Sequence, residues 1–189
     1  LADAAQQTLD MQYYTVAQDA TATLLLAHGA GAPMDSPFLQ NIARLLAAHG
    51  IAIIRFEFAY MAQRRSGGKR RPPPKAEALC DEYLCAVETC GASGPLLIGG
   101  KSMGGRVASL VAGDLYRQRR IVGLVCFGYP FHPPKKPAQL RTAHLSDFQC
   151  PTLIVQGEAD PLGTRSEVES YSLSPTIEVQ WIAGADHDL

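Results

Sequence analysis

The chain has 189 residues, of which 47% are hydrophobic and 19% are charged, and its formal net charge is −1. A chain of this length fits one globular domain, which buries about 70% of the surface that the unfolded chain would expose. The near-neutral charge disfavours a general nucleic-acid or membrane-surface binder, and no apolar stretch reaches the roughly 20 residues of a membrane-spanning helix.

Strand-like and helix-like segments alternate along the sequence. This alternation predicts a single α/β domain over residues 1–189, with a mostly parallel sheet of six or seven strands and helices on both faces. We predict strands near residues 12–17, 23–28, 51–58, 95–99, 121–127, 151–156 and 176–182. We predict helices near residues 36–49, 75–90, 103–118 and 163–172.

A glycine-rich loop follows the strand at residues 23–28 and has the sequence His28-Gly29-Ala30-Gly31. An early loop of this kind can supply one backbone N–H group to an oxyanion. We predict this role for the N–H of Ala30. His28 is predicted to shape the loop, and His28 and Gly29 are predicted to lie against a substrate.

A basic segment follows the strand at residues 51–58. Residues 64–75 hold six of the seventeen basic residues and no acid, and their glycines and prolines predict a loop. The default interpretation is a solvated surface loop. Because the segment leaves from the edge at which parallel strands end, our hypothesis is that its cations attract a ligand with a carboxylate or phosphate. The candidate residues are Arg64, Arg65, Lys69, Arg70 and Arg71.

The five cysteines show no metal-binding or disulfide pattern. Cys80, Cys85 and Cys90 lie five residues apart on a predicted helix, so successive side chains turn by about 140° and do not converge on a metal. We predict that all five cysteines are reduced thiols of a cytoplasmic protein and that no metal is bound.

The sequence Gly100-Lys101-Ser102-Met103-Gly104 is a G-x-S-x-G pattern between an apolar strand and a predicted helix. Glycine is needed on both sides because the strained serine turn packs closely between strand and helix. The pattern predicts an exposed Ser102 nucleophile, with the N–H of Met103 as the second oxyanion donor. The same stretch contains Gly-Lys-Ser, but a phosphate-binding loop would need glycine at the position of Pro95.

The connection at residues 128–150 is the only stretch with room for a lid between the two flanking strands. Its Gly128 and four prolines cannot form a large cap domain. We therefore predict an open, shallow site that favours small or end-exposed acyl groups over long lipids.

Two later strands end at residues that complement a serine nucleophile. Glu158 and Asp160 follow the strand at residues 151–156, and His187 follows the last strand. The chain order serine, acid, histidine is that of an α/β-hydrolase triad, and parallel strands place all three residues at one sheet edge. We predict Ser102 as nucleophile, His187 as base and Asp160 as its orienting acid. Glu158 remains the alternative acid.

With these residues, the chain resembles an α/β-hydrolase over nearly its whole length. It more narrowly resembles compact hydrolases related to the hydrolase-like region of a subunit of the NSL chromatin complex, and it is similar to dienelactone-hydrolase-like enzymes. The narrower resemblance lies in residues 28–38, 55–58, 69–74, 131–134 and 184–188. It implies a hydrolase fold without a settled substrate, and it implies that relatives can serve as binding scaffolds. In this fold a helix usually follows the histidine loop, so we expect that this helix is missing or that the last strand is incompletely covered.

The predicted reaction is acyl transfer from a small ester, thioester or similar substrate to water. The triad forms an acyl-enzyme and needs no metal or organic cofactor. The basic segment suggests a preference for anionic substrates, and neither nucleic acid nor a membrane is an expected partner. The alternative is a non-catalytic scaffold of the same fold that binds a partner through the basic segment.

Overall fold

The computed structural model describes residues 13–17, 19–68 and 72–189. Within these residues one seven-stranded sheet has the order β1-β3-β2-β4-β5-β6-β7. Its strands are β1 (Tyr13–Thr15), β2 (Ala22–Ala27), β3 (Ile51–Phe56), β4 (Leu96–Lys101), β5 (Gly123–Phe127), β6 (Thr152–Gly157) and β7 (Ile177–Ile182). β1 is antiparallel to β3, whereas all other neighbouring strands are parallel.

Helices cover both faces of this sheet. They are α1 (Pro37–Ala48), α2 (Ala59–Arg65), α3 (Cys80–Thr89), α4 (Met103–Arg117) and α5 (Arg165–Val168). Two short 3₁₀ helices span Ala76–Leu79 and Ala143–Leu145. None of the helices described is both long and apolar enough to cross a membrane.

The alternation of side chains along β2 shows how the core is divided between the two faces. Leu24 and Leu26 pack with Leu39 of α1 in one buried cluster. Leu25 packs on the opposite face, in the larger cluster that includes Tyr83 of α3 and residues of α4. A strand with apolar residues at successive positions is buried on both faces, as parallel strands covered by helices require.

The predicted fold class is confirmed, and the described part of the chain forms no cap domain. The main difference lies after β3, where the sequence analysis predicted a strand to residue 58 and then a loop. The strand ends at Phe56, and Ala59–Arg65 form α2. Of the basic candidates, Arg64 and Arg65 therefore lie in the last turn of a helix. Lys69, Arg70 and Arg71 lie outside the described residues.

Candidate active site

Ser102 lies at the turn between β4 and α4. Its backbone has φ +51° and ψ −115°, a strained positive-φ conformation that costs a non-glycine residue about 1–3 kcal/mol. The main-chain N–H of Ser102 donates to the carbonyl of Phe127 at 2.8 Å, which ties the turn to the end of β5.

Two glycines beside Ser102 let β4, α4 and the end of β2 approach one another. A Cβ atom on Gly100 would lie 2.5 Å from the carbonyl carbon of Gly104 and 2.7 Å from the carbonyl oxygen of Ala27. A Cβ atom on Gly104 would lie 2.5 Å from the carbonyl oxygen of His28. Side chains at either position would push the serine turn away from the neighbouring backbone.

The structure brings Ser102, His187 and Asp160 into one hydrogen-bonded chain. The Nε2 atom of His187 lies 2.8 Å from Ser102 Oγ, and its Nδ1 atom lies 2.8 Å from Asp160 Oδ2. The Asp160 side chain is fully buried, whereas the His187 side chain is 23% exposed. The acid is thus shielded from water while the histidine remains accessible.

Asp160 is held by two further donors. The main-chain N–H of Leu162 donates to its Oδ1 atom, and the amide of Gln156 donates to Oδ2, both at 2.8 Å. The other candidate acid, Glu158, instead forms an ion pair with Arg165 at 2.8 Å on the surface. Asp160 is therefore the acid that contacts the histidine.

Gln156 is a buried polar residue at the end of β6 that the sequence analysis missed. Its Oε1 atom accepts a hydrogen bond from the N–H of Tyr129 at 2.7 Å, while its Nε2 atom donates to Asp160. It thereby links the acid to the segment that follows β5. The sequence offered a signal, since Gln156 is a polar residue directly after the apolar run 153–155 of this strand.

His28 is fully buried and has a role inside the first loop. Its Nδ1 atom donates to the carbonyl of Gly29 at 2.7 Å, and its Nε2 atom accepts from the N–H of Phe58 at 3.1 Å. Burial lowers the pKa of His28, in keeping with a neutral ring. These contacts fit the predicted loop-shaping role. Both ring nitrogens have partners within the protein, and the placement of His28 and Gly29 against a substrate stays a prediction.

The predicted oxyanion donors lie next to the serine. Ala30 and Met103 line the same pocket as Ser102, and a Cβ atom on Gly29 would lie 3.9 Å from Ser102 Cβ. Met103 is the first residue of α4, where the leading N–H groups have no acceptor within the helix. The hydroxyl of Tyr60 donates to the carbonyl of Ala30 at 3.1 Å and anchors this loop.

An open pocket of about 690 Å³ contains Ser102 in its wall. Among the described residues, the cations in this wall are Lys75, Arg106 and Arg141, whereas Arg64 and Arg65 do not line it. The described wall is therefore basic, and of its three cations only Lys75 belongs to the basic segment at residues 64–75.

Arg64 and Arg65 have partners elsewhere. Arg65 forms ion pairs with Asp35 at 2.5 Å and with the buried Glu57 at 2.6 Å. Its guanidinium group lowers the pKa of Asp35. Arg64 lies over the ring of Tyr60, 5.3 Å from the ring centre. Their placement on α2 directs them to these groups instead of to the pocket.

Comparisons with known proteins agree with this architecture. Residues 20–189 match the family model described as the alpha/beta hydrolase domain. An alpha-beta serine hydrolase homologue from Coxiella burnetii is 19% identical with a TM-score of 0.70, covering 93% of this chain and 82% of that chain. Dienelactone hydrolase from Anabaena variabilis is 21% identical with a TM-score of 0.70, covering 94% and 81%.

A third solved structure, an α/β serine hydrolase without a lid from Xanthomonas campestris, is 18% identical. Its TM-score is 0.69, and the match covers 94% of this chain and 79% of that chain. Likeness at these identities concerns the fold, and the relationship to the NSL subunit stays a prediction. Because the family model spans nearly the whole sequence, the chain belongs to the alpha/beta hydrolase family.

Proposed function

We propose that this protein is a serine hydrolase that cleaves small esters, thioesters or similar acyl substrates through an acyl-enzyme. The observation that carries the proposal is the continuous hydrogen-bonded chain from Asp160 through His187 to Ser102. A serine hydroxyl is a weak nucleophile until a base accepts its proton, and the base in turn needs an orienting acid.

In the first step, Ser102 Oγ attacks the substrate carbonyl carbon while His187 Nε2 takes the hydroxyl proton. Asp160 accepts the hydrogen bond from Nδ1, which keeps Nε2 free as the base and stabilises the imidazolium that forms. The N–H groups of Ala30 and Met103 bind the developing oxyanion. Loss of one such donor typically costs on the order of 3 kcal/mol in the transition state.

The intermediate then breaks down in two stages. His187 returns the proton to the leaving alcohol or thiol, and the acyl group stays on Ser102. His187 next takes a proton from water, whose oxygen attacks the acyl carbon, and the acid product leaves as Ser102 regains its proton. Atoms and charges balance without a cofactor.

The open pocket supports small or end-exposed acyl groups as substrates. Five prolines contribute to its wall (Pro73, Pro74, Pro130, Pro133 and Pro134), and the described residues form no cap that could bury a long lipid. The scaffold alternative has less support. Arg64 and Arg65, two of the five basic residues that it would use to bind a partner, already contact Tyr60, Asp35 and Glu57.

Labelling with a fluorophosphonate, read by intact mass, tests the proposal. We expect one adduct on the wild type, none on Ser102→Ala, and one on the matched control Ser66→Ala, because Ser66 is an exposed serine whose hydroxyl donates to the Gln63 carbonyl. Hydrolysis of para-nitrophenyl butyrate should follow the same pattern. A folded wild-type protein that takes no adduct and hydrolyses no ester would overturn the proposal and favour a scaffold.

A further inference from the structure

Two arginines, Arg106 and Arg141, line the pocket that contains Ser102. They come from different parts of the chain, since Arg106 lies on α4 and Arg141 lies in the connection after β5. The single acid among the described lining residues is Glu77. The pocket wall therefore carries an excess of positive charge close to the nucleophile.

Arg106 lies on the same face of α4 as the serine turn. It follows Ser102 by four residues, and residues at this spacing stack along one side of a helix. Its side chain is 17% exposed, and its Nη2 atom pairs with Glu77 at 2.5 Å. Its Nε atom is buried and has no hydrogen-bond partner among the described residues. The ion pair with Glu77 thus leaves the buried Nε–H group of Arg106 without an acceptor among the described residues.

Arg141 has no carboxylate within ion-pairing distance in the parts of the chain that the structure covers. Burial and the neighbouring charge of Arg106 both lower the pKa of Arg141. Two like charges that share a partly dehydrated pocket repel each other. A bound anion would relieve this repulsion and accept hydrogen bonds from both groups.

A hydrogen-bonded frame fixes the backbone of both arginines. The hydroxyl of Ser109 donates to the carbonyl of Arg106 at 2.7 Å, and the hydroxyl of Tyr129 donates to the carbonyl of Arg141 at 3.1 Å. The two hydroxyl oxygens lie 3.3 Å apart, and both residues are buried. The N–H of Arg141 also donates to the carbonyl of Phe131 at 2.8 Å. The points from which both arginine side chains extend are thus fixed by contacts within the protein.

We propose that Arg106 and Arg141 bind a carboxylate of the substrate, so that this hydrolase selects esters or thioesters that carry a carboxylate. The inference rests on the proposed function and names the substrate class of the same site. A planar guanidinium group suits a carboxylate because it can donate two parallel hydrogen bonds, and it is more weakly hydrated than an ammonium group.

The test compares pairs of esters in which a carboxylate is replaced by its neutral methyl ester. Mono(para-nitrophenyl) adipate, with the carboxylate on the acyl side, is paired with its methyl ester. Para-acetoxybenzoate, with the carboxylate on the leaving group, is paired with methyl para-acetoxybenzoate. In at least one pair we expect kcat/KM to be roughly 10- to 100-fold higher for the ester with the carboxylate than for its methyl ester. This ratio is typical of a hydrogen bond to a charged group. The responding pair identifies the side of the scissile bond that faces the arginines.

Variants then assign the preference to the two residues. In Arg106→Gln and Arg141→Gln we expect the preference to shrink, mainly through a higher KM for the charged ester. Arg117→Gln is the matched control, because Arg117 lies on the same helix, is 72% exposed and pairs with Asp114. If Arg106→Gln does not fold, Arg141→Gln alone still tests the inference, since Arg141 lies in a connecting segment.

The outcomes separate this inference from the proposed function. A wild-type enzyme that is labelled at Ser102 but shows no preference in either pair would overturn the carboxylate site alone. Equal losses on charged and neutral esters in both variants would also overturn it, because they would mean a structural role. Absence of labelling would instead overturn the proposed function.

Discussion

The ammonium group of Lys101 contacts the main-chain carbonyl oxygen of His187. Lys101 directly precedes Ser102, so this contact joins the serine turn to the histidine loop. The lysine is 9% exposed, and its Nζ atom lies 5.3 Å from the centre of the Phe38 ring. Gly128 leaves room for the contact, because a Cβ atom there would lie 2.7 Å from Lys101 Nζ and 2.9 Å from the His187 carbonyl oxygen.

Lys101→Met should therefore lower kcat while leaving KM for a neutral ester nearly unchanged. The methionine keeps much of the side-chain length but loses the ammonium group, and with it both the contact with the Phe38 ring and the hydrogen bond that positions the histidine loop. A displacement of the base by about 1 Å can reduce the rate by up to roughly 100-fold, so we expect a loss between 10- and 100-fold. Lys101→Arg, which restores a donor, should recover part of kcat. Wild-type kcat in the methionine variant, measured with para-nitrophenyl butyrate, would contradict a positioning role.

Asp160→Asn should reduce kcat by roughly 10³- to 10⁴-fold, as expected when the acid of a serine triad is replaced by its amide. The amide no longer favours the histidine tautomer in which Nε2 is free to accept the serine proton. Glu158→Gln is the matched control. Glu158 pairs with Arg165 at the surface, so this variant should keep most of the activity. Comparable losses of kcat in both variants would show that Asp160 is not the specific orienting acid.

Gln156→Leu should lower the free energy of unfolding by about 1–3 kcal/mol, the cost of leaving a buried polar group unsatisfied. The change removes the acceptor for the Tyr129 N–H and one of the donors to Asp160. Denaturation by urea measures the loss.

Gln180→Leu provides the control for Gln156, because Gln180 lies on the neighbouring strand β7 and is exposed. We expect this variant to change the free energy of unfolding by no more than about 0.5 kcal/mol. If both variants are equally stable, the buried amide of Gln156 has no special structural role.

The strands and the residues of the serine, acid and histidine turns could be predicted because their signals are local. Apolar runs mark the strands, and the two glycines around Ser102 form a five-residue pattern that can be found without knowing that the end of β2 packs against them. The acid and the histidine follow strands that end at the same edge as β4. Because these strands are parallel, their ends meet at one edge of the sheet. The proximity of the three residues can therefore be predicted without knowing any side-chain contact.

The cations of the pocket could not be predicted in the same way. Arg65 meets Asp35, which lies thirty residues away in the sequence, and only the path of the chain decides that pairing. The position of Arg141 depends on how the proline-rich connection after β5 folds back. Arg106 is a pocket cation whose position the sequence indicates, because its spacing from Ser102 places it one helical turn beyond the nucleophile. The segment with the highest charge density, residues 64–75, contributes Lys75 to the described pocket wall, whereas Arg64 and Arg65 lie elsewhere.

His28 should make the free energy of unfolding depend on pH. Burial lowers the pKa of this histidine in the folded protein, so below pH 6.5 the unfolded chain binds a proton more readily than the folded one. Stability should therefore be fully present above that pH and fall as the pH decreases, with a limiting slope of about 1.4 kcal/mol per pH unit for one such group. Urea denaturation at several pH values measures the slope for the wild type and His28→Gln. We expect the variant to be less stable at neutral pH but to lose less stability on acidification, since its side chain does not titrate. Equal slopes would show that the unfolded chain gains no extra proton at this position.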